Sequence, residues 1–409
     1  MTSDLSLAEL GQVIRRLQSK SRVRPPAVSA ATLESALGGR VEETTAGSLL
    51  VVQRRFPLEH RHGQQSLARA HAMAPESVGL LARGEAAVAD GRRLLYLDTE
   101  TTGLAGGTGT YAFLVGVGFF DADGFEIRQF FMRDLDEEPA LLAALEALFQ
   151  RFDGVVTYNG SGFDLPLLET RFVLGRRRWP DDRLHLDLLN PARRLWSARL
   201  SDCRLRTIEQ HVLRFTREED LPGEFIPAVY FDYLRRKRPG QLPRVFEHNR
   251  HDILSLATLT GWVAMALARA PDTEHHPEEL VGLGRLWERA DVERGLACYR
   301  MALERGLESP GRERVLLRLA RRAKTLGQWD EAWTHWQAAT RSGHAFDPRP
   351  WEEIAKLYEH RRRDFTAACA VVEEALVRAR VHLVPERILG SFEHRLARLA
   401  RRSRRQNPG

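Results

Sequence analysis

The sequence predicts an α/β fold, in which helices flank a mixed sheet, followed by an all-α region. Between about residues 91 and 132, short apolar segments of strand character follow one another closely, and from there to residue 268 such segments alternate with stretches of helical period. Beyond about residue 280 only the helical period remains. Strands in quick succession, followed by alternation with helices, are typical of a mixed sheet covered by helices.

The composition is that of a globular protein rather than a disordered or fibrous one. The 409 residues are 43% hydrophobic and 28% charged, with a net charge of +6. Almost all of the 61 basic residues are arginines. Arginine suits phosphate recognition because its planar fork binds two oxygens, although a GC-rich genome gives the same bias.

Cysteine usage and hydropathy limit the compartment. The cysteines, Cys203, Cys298 and Cys369, lie far apart and indicate neither a zinc site nor a disulfide framework. The N-terminal segment has no uninterrupted apolar core, and nowhere do about 18 apolar residues run together. We therefore expect a cytoplasmic protein without a membrane span.

The predicted elements follow in chain order. Residues 1–90 form an extension with a helix at 5–17, a proline-marked break, a strand-like "GSLLVVQRRF", and then His60 and His62, which we expect on a surface turn rather than at a metal. Residues 91–268 form the α/β domain. Its predicted strands lie at 94–97, 113–120, 126–132, 155–158 and 184–189, and its predicted helices at 137–152, 164–174, 205–213 and 244–268.

The C-terminal region reads as a helical repeat. Residues 269–279, with two prolines, form a predicted linker. In residues 280–380, a small, large, small triplet recurs at intervals of 37 and 36 residues, as Gly295/Tyr299/Ala302, Ala332/Trp336/Ala339 and Ala368/Val372/Ala375. This spacing, with glycine turns between helices, predicts tetratricopeptide-like repeats; an irregular helical bundle is the alternative. Residues 381–409 read as a basic helix and tail, a solvated run of charge.

Two acids mark the end of the first predicted strand of the domain. In "LLYLDTETTGL", Asp98 and Glu100 are two residues apart, so their side chains leave the strand on the same face. Adjacent carboxylates repel each other unless a cation lies between them. The segment therefore predicts half of a metal site.

Two later segments could complete this site. In "VVTYNGSGFDLP", Asp164 follows a strand at the start of a helix, although it could also serve as a helix cap. In "EHNRHDILSL", His248 and Asp252 are four residues apart on one helical face. Four carboxylates favour two divalent cations, Mg²⁺ or Mn²⁺, which can activate water against a phosphodiester, and a nearby histidine is a competent general base.

The segments "DTETTGL", "NGSGFD" and "HNRHD", in this order, resemble the three motifs of the DEDD 3′–5′ exonuclease superfamily, which has a ribonuclease H-like fold. With "PLEHRHG" upstream, the chain is similar in particular to the YprB-like ribonuclease H-like proteins over roughly residues 40–268. The resemblance implies that Asp98, Glu100 and Asp252 hold one cation, and that Asp98 and Asp164 hold the second. The superfamily commonly has a Tyr four residues or a His five residues before the last Asp, whereas here a His stands four before it.

The resemblance also suggests where a nucleic acid, DNA or RNA with a single-stranded end, would bind. The predicted substrate-binding residues are Thr101, Thr102, Gly103, Asn159 and Phe163, with Asn159 orienting either Asp164 or the substrate. Arginine clusters near Trp179 and Trp196 could follow the phosphate backbone while the rings stack on bases; solvated loops beside buried tryptophans are the alternative.

The predicted function is thus a metal-dependent nuclease, most simply a 3′–5′ exonuclease. One alternative is a non-catalytic adaptor that keeps the fold and binds nucleic acid or protein. Another is an endonuclease that uses the same cations. The helical repeats could dock a protein partner.

Overall fold

The computed structural model describes residues 32–82, 91–103, 108–180, 183–272, 274–341 and 345–406. The chain divides into two compact units, Met1–Arg269 and Ala270–Gly409. The helix predicted at residues 5–17 lies outside the described residues.

A seven-stranded mixed sheet forms the centre of the first unit, as the sequence predicted. Its order is β1-β2-β7-β6-β5-β8-β9. The neighbours from β1 through β2, β7 and β6 to β5 pair antiparallel. The neighbours β5, β8 and β9 pair parallel. The strands are β1 (Arg40–Thr44), β2 (Gly47–Phe56), β5 (Leu94–Thr101), β6 (Ala112–Phe120), β7 (Phe125–Phe131), β8 (Gly154–Thr157) and β9 (Leu184–Asp187). A separate hairpin consists of β3 (Arg61–His62) and β4 (Gln65–Ser66).

Two features of the N-terminal part differ from the prediction. Strands β1 and β2 extend the central sheet instead of forming a separate extension, because β2 pairs with β7 along its length. His62 is not on a surface turn: its side chain is buried, and Nε2 lies 2.8 Å from Ser255 Oγ.

Helices cover both faces of the sheet. The described helices of this unit are α1 (Leu33–Leu37), α2 (Ala68–His71), α3 (Pro75–Leu81), α4 (Glu138–Phe149), α5 (Asp164–Leu174), α6 (Leu189–Trp196), α7 (Leu205–Ile208), α8 (Ile226–Arg236) and α9 (Leu242–Arg269). Alternation along the strands divides the core. Leu95 and Leu97 face α4 and α5, whereas Leu114 of β6 packs with α8 and α9 on the other face.

Helix α9 lies unusually close to β6. A Cβ on Gly116 would come within 2.0 Å of the Asn249 side chain, and a Cβ on Gly118 within 2.5 Å of Ile253. The helix is long and apolar enough to cross a membrane, but 78% of its most apolar window is buried inside the structure. Its apolar character thus fits its position in the core, and the close approach brings its polar N-terminal half to the end of β5.

The described residues of the second unit form helices joined by short turns, without a β-strand. Its helices are α10 (Pro277–Trp287), α11 (Val292–Glu304), α12 (Gly311–Thr325), α13 (Trp329–Arg341), α14 (Pro348–Lys356), α15 (Phe365–Val381) and α16 (Glu386–Gln406). All members of the three repeated triplets are buried, on α11, α13 and α15. The tetratricopeptide character of the region stays a prediction.

The basic C-terminal helix is more than a solvated run of charge. Arg395, Arg398 and Arg402 all point at Glu359, whose side chain is fully buried, with nitrogen to oxygen distances of 3.4, 2.7 and 3.0 Å. A buried carboxylate requires counter-charge, so these arginines anchor α16 to the preceding helices.

Candidate active site

Three segments that are distant in sequence meet at the end of β5. Asp98 and Glu100 lie within this strand, which continues past the predicted end to Thr101. Asp164 begins α5, and an open cavity of about 480 Å³ is lined by all three acids. His248 and Asp252 lie on α9 beside Glu100, and the ligand atoms of this trio are all within 4.8 Å of one another.

Asp98 is held by the helix that packs over it. The Asn249 side chain donates hydrogen bonds from Nδ2 to Asp98 Oδ2 at 2.8 Å and to the Asp98 carbonyl at 3.3 Å. Gln129 in turn donates to Asn249 Oδ1 at 2.9 Å. Burial raises the pKa of Asp98 well above its usual range, and the charges of Asp252 and Glu100 raise it further, against the Asn249 hydrogen bond.

Asp164 is fixed by the neighbouring strand. Its Oδ1 accepts hydrogen bonds from the Thr99 amide at 3.1 Å and from the Thr99 hydroxyl at 2.6 Å. The N-cap of α5 is Phe163, which makes no side-chain capping bond. Asp164 is therefore not the helix cap, and its carboxylate bonds to β5 instead. Burial raises the pKa of Asp164, although the Thr99 hydrogen bonds oppose this effect.

His248 points its ring into the acidic cluster. Nδ1 lies 2.9 Å from Asp220 Oδ1, while Nε2 lies 3.5 Å from Asp252 Oδ2 and 4.0 Å from Glu100 Oε1. Burial lowers the pKa of His248, but Asp252, the Asp220 hydrogen bond and Glu100 outweigh it and raise this pKa to about 9. Burial raises the pKa of Glu100 to about 8, against the favourable charge of His248.

Several residues at the site were not among those predicted. Arg217 pairs with Asp252 Oδ1, and Asp220 holds the His248 ring. Both lie in "REEDLPGEF", a loop without periodic pattern, so no local pattern could have placed them at the site. Asn249 stands inside the motif "HNRHD", and Thr99 stands between the first two acids, so their positions could have suggested a role.

The predicted substrate-binding residues are only partly at the cavity. Thr101, Gly103, Asn159 and Phe163 line it, and Phe163 is 61% exposed. The Thr101 hydroxyl donates to the Gly103 carbonyl at 2.8 Å, so it is used within the loop. The Thr102 amide likewise donates to the Tyr111 carbonyl, at 2.9 Å.

Two predicted roles need correction. Asp164 is held by the Thr99 hydroxyl rather than by Asn159. The backbone N–H of Asn159 donates to Asp187 Oδ1 at 2.7 Å. Trp196 is fully buried against Trp262, so it cannot stack on a base. For Trp196, the structure thus agrees with the alternative expectation of a buried tryptophan.

The donor set fits hard divalent cations. Carboxylate oxygens of four acids and one imidazole face a common region, and sulfur ligands are absent from it within the described residues. Burial raises the pKa of Asp98, Glu100 and Asp164, and repulsion from the neighbouring acids raises these pKa values further. Cations bound at this site would offset the repulsion and favour the ionised carboxylates.

Comparisons with known proteins agree with this architecture. A family model described as the RNase_H superfamily matches residues 95–264. YprB of Bacillus subtilis strain 168 is 30% identical over 363 residues, which are 86% of each chain. A family B DNA polymerase from Pyrobaculum calidifontis is 19% identical, with a TM-score of 0.34; the match covers 52% of this chain and 29% of the polymerase chain, a likeness too weak to support an argument. The chain therefore belongs to the YprB family of the ribonuclease H superfamily, and its first unit has a nuclease-type fold.

Proposed function

We propose that this protein is a metal-dependent nuclease that hydrolyses phosphodiester bonds of DNA or RNA from the 3′ end with two divalent cations. The observation that carries the proposal is the convergence of three distant segments: Asp98, Glu100 and Asp164 line one open cavity, and His248 and Asp252 cluster with Glu100. Membership of the ribonuclease H superfamily supports nuclease chemistry for such a site.

The acids have distinct roles in this proposal. Asp98, Glu100 and Asp252 would hold one Mg²⁺ or Mn²⁺, and Asp98 with Asp164 would hold the other. Two such cations, when bound, help to ionise an attacking water and neutralise the leaving oxygen. Asn249 and Thr99 keep two of these carboxylates in place, because each donates hydrogen bonds to one of them.

His248 is the proposed proton acceptor for the attacking water. Asp220 fixes the ring through Nδ1, which leaves Nε2 directed at the acids. Without cations, the acids around the imidazole raise its pKa to about 9, so the ring is protonated at neutral pH. Balancing these charges lowers that pKa and makes Nε2 available as a base.

The cavity could accept the end of a nucleic-acid strand. Phe163 exposes its ring at the rim, where an aromatic face can stack on a terminal base. Small residues such as Gly103 let a nucleotide approach the acids closely. The 3′ polarity comes from the resemblance of the three motifs to the DEDD exonucleases, and we propose a cytoplasmic setting.

The test is cleavage of end-labelled single- and double-stranded DNA and RNA with Mg²⁺, Mn²⁺ or EDTA. We expect a stepwise ladder from the 3′ end that requires a divalent cation and disappears in Asp98→Ala. Asp153→Ala is the matched control, because this carboxylate pairs with Arg93 away from the cavity. Internal cuts would instead indicate an endonuclease. Binding without turnover in every arm would refute the nuclease proposal and favour an adaptor.

A further inference from the structure

Arg217 lies directly behind the acidic cluster, with a side chain only 4% exposed. Its guanidinium donates from Nε to Glu209 Oε2 at 2.8 Å and from Nη2 to Glu209 Oε1 at 2.5 Å. Nη2 also donates to Asp252 Oδ1. The planar fork is thus shared between a fully buried acid and a proposed metal ligand.

We propose that Arg217 is a positioning residue of the hydrolytic site, which holds the Asp252 carboxylate and the Asp220–His248 pair in their working orientations. This inference rests on the proposed function. It assigns no contact with substrate to Arg217.

The contacts of Arg217 leave little freedom to the groups in front of it. Because Oδ1 of Asp252 is taken by the guanidinium, Oδ2 is the oxygen that faces His248, at 3.5 Å from Nε2. On the other side, Arg217 Nη1 lies 3.5 Å from Asp220 Oδ2 and 3.4 Å from His248 Nδ1. The rigid guanidinium of Arg217 therefore lies next to both the Asp252 carboxylate and Asp220, which fixes the His248 ring.

A buried chain of hydrogen bonds anchors the guanidinium from behind. Ser255 donates from Oγ to Glu209 Oε1 at 2.5 Å, and His62 Nε2 lies 2.8 Å from the same Oγ. Burial lowers the pKa of His62 to about 3, so this ring is neutral and can donate from Nε2 to Ser255. The β3 hairpin and α9 are in this way tied to Glu209, which fixes the Arg217 fork.

A second buried pair shows what a purely structural arginine looks like in the same unit. Arg171, with a side chain 5% exposed, makes a similar bidentate pair with Glu138, at 2.5 Å from both Nε and Nη2. Its Nη1 donates to the Thr108 carbonyl. The described contacts of Arg171 include none of the proposed metal ligands, so the pair is a matched control.

The test variant must fold. Removing Arg217 alone would leave Glu209 buried without a counter-charge, which strongly destabilises a fold. We therefore combine Arg217→Met with Glu209→Gln, which removes the ion pair and keeps the volume similar. The control is Arg171→Met with Glu138→Gln. A third variant, Arg217→Lys, keeps the positive charge but loses the fork.

The readouts are the steady-state constants on an end-labelled oligonucleotide at saturating Mn²⁺ and a crystal structure of each variant. In the Arg217/Glu209 variant we expect kcat to fall about 10- to 100-fold with an unchanged KM, because small misplacements of reacting groups slow the chemical step. The structure should show Asp252 or His248 turned from its present position. Arg217→Lys should restore kcat only in part, and the Arg171/Glu138 variant should keep it.

Failure of this inference is separable from failure of the proposed function. If the wild-type protein cleaves but the folded Arg217/Glu209 variant retains its kcat, the positioning role is wrong and the nuclease proposal stands. If the wild-type protein cleaves nothing, the nuclease proposal falls. Whatever the cleavage rates, a structure of the Arg217/Glu209 variant in which Asp252 and His248 have not moved overturns the inference.

Discussion

His248 is surrounded by groups that compete for its proton. Asp220 fixes Nδ1, and the charges of Asp252 and Glu100 favour the protonated ring, which explains the raised pKa. If His248 is the base, as proposed, its ring can accept a proton only when cations balance the neighbouring carboxylates. The proposed role of His248 as a base therefore depends on the proposed cations.

Replacing His248 by Ala should lower kcat by about 10²-fold or more, because general-base assistance to the attacking water is lost. KM should change little, since the ring is mostly buried and does not line the cavity. Steady-state cleavage at saturating Mn²⁺ measures both constants. The control is His251→Gln, because the His251 ring packs against Phe215 rather than facing the acids. Equal rates for both variants would exclude His248 as the base.

Phe163→Ala should weaken binding of single-stranded substrates. Stacking of one base on an aromatic ring contributes about 1–3 kcal/mol, so we expect KM to rise about 5- to 100-fold with a smaller change in kcat. Phe163→Trp should retain binding. Phe231, another exposed aromatic residue of the same unit, provides the control variant Phe231→Ala. Similar KM values for the two alanine variants would argue against stacking at Phe163.

Sequence reasoning could find the residues of this site that follow a local period. Asp98 and Glu100 are related by the period of a strand, and His248 and Asp252 by that of a helix, so each pair could be placed on one face. Arg217 obeys no such rule, because it reaches the site from an irregular loop. Its role depends on contacts 35 residues away in sequence, which no local pattern contains.

Strand β6 and helix α9 form the element pair on which the site depends. Gly116 and Gly118 leave a smooth face on β6, so α9 can approach until Asn249 reaches Asp98. The helical and strand periods of these segments were predictable from the sequence. The close approach was not, because it depends on which strand lies under the helix.

Gly116→Ala should damage both stability and activity. Its Cβ would come within 2.0 Å of Asn249 Oδ1, so the amide that holds Asp98 must move. Overpacking of this kind typically costs about 1–3 kcal/mol of unfolding free energy. Denaturant unfolding and cleavage rates measure the two effects. The control is Gly79→Ala on α3, where a Cβ meets nothing within 4 Å and the change should be neutral or stabilising by up to about 1 kcal/mol. Full activity in a stable Gly116→Ala protein would contradict the argument.

The molecule concentrates its proposed chemistry in one of its two units. All the proposed metal ligands and His248 belong to Met1–Arg269, and Ala270–Gly409 is helical in its described residues. The order of the seven strands could not be read from the sequence, because β1 and β2 join the sheet through β7, whose residues lie 69 to 81 positions after their partners in β2. The period and spacing of the C-terminal helices, by contrast, were visible in the triplets. Docking of a protein partner by these helices stays a prediction.

The unbalanced acids should make the stability of the cation-free protein depend on pH. In the folded state, burial and the neighbouring acids raise the pKa of Glu100 from 4.5 to about 8. Although burial lowers the pKa of His248, Asp252, the Asp220 hydrogen bond and Glu100 outweigh this effect and raise it from 6.5 to about 9. Between pH 6.5 and 8 the folded protein therefore retains protons that the unfolded chain has released. The unfolding free energy contributed by these groups falls as pH rises through this range.

We expect the melting temperature in EDTA to fall from pH 6.5 to pH 8, and Mg²⁺ to raise it more at pH 8, because the cation then replaces the missing protons. Differential scanning calorimetry measures both effects. In the double variant Glu100→Gln and His248→Ala the slope should flatten, which separates these two groups from the other titrating residues of the chain. A melting temperature with the same pH slope in the wild-type protein and this variant would show that the cluster does not carry the unbalanced charge, and would remove the electrostatic reason for cation binding at the site.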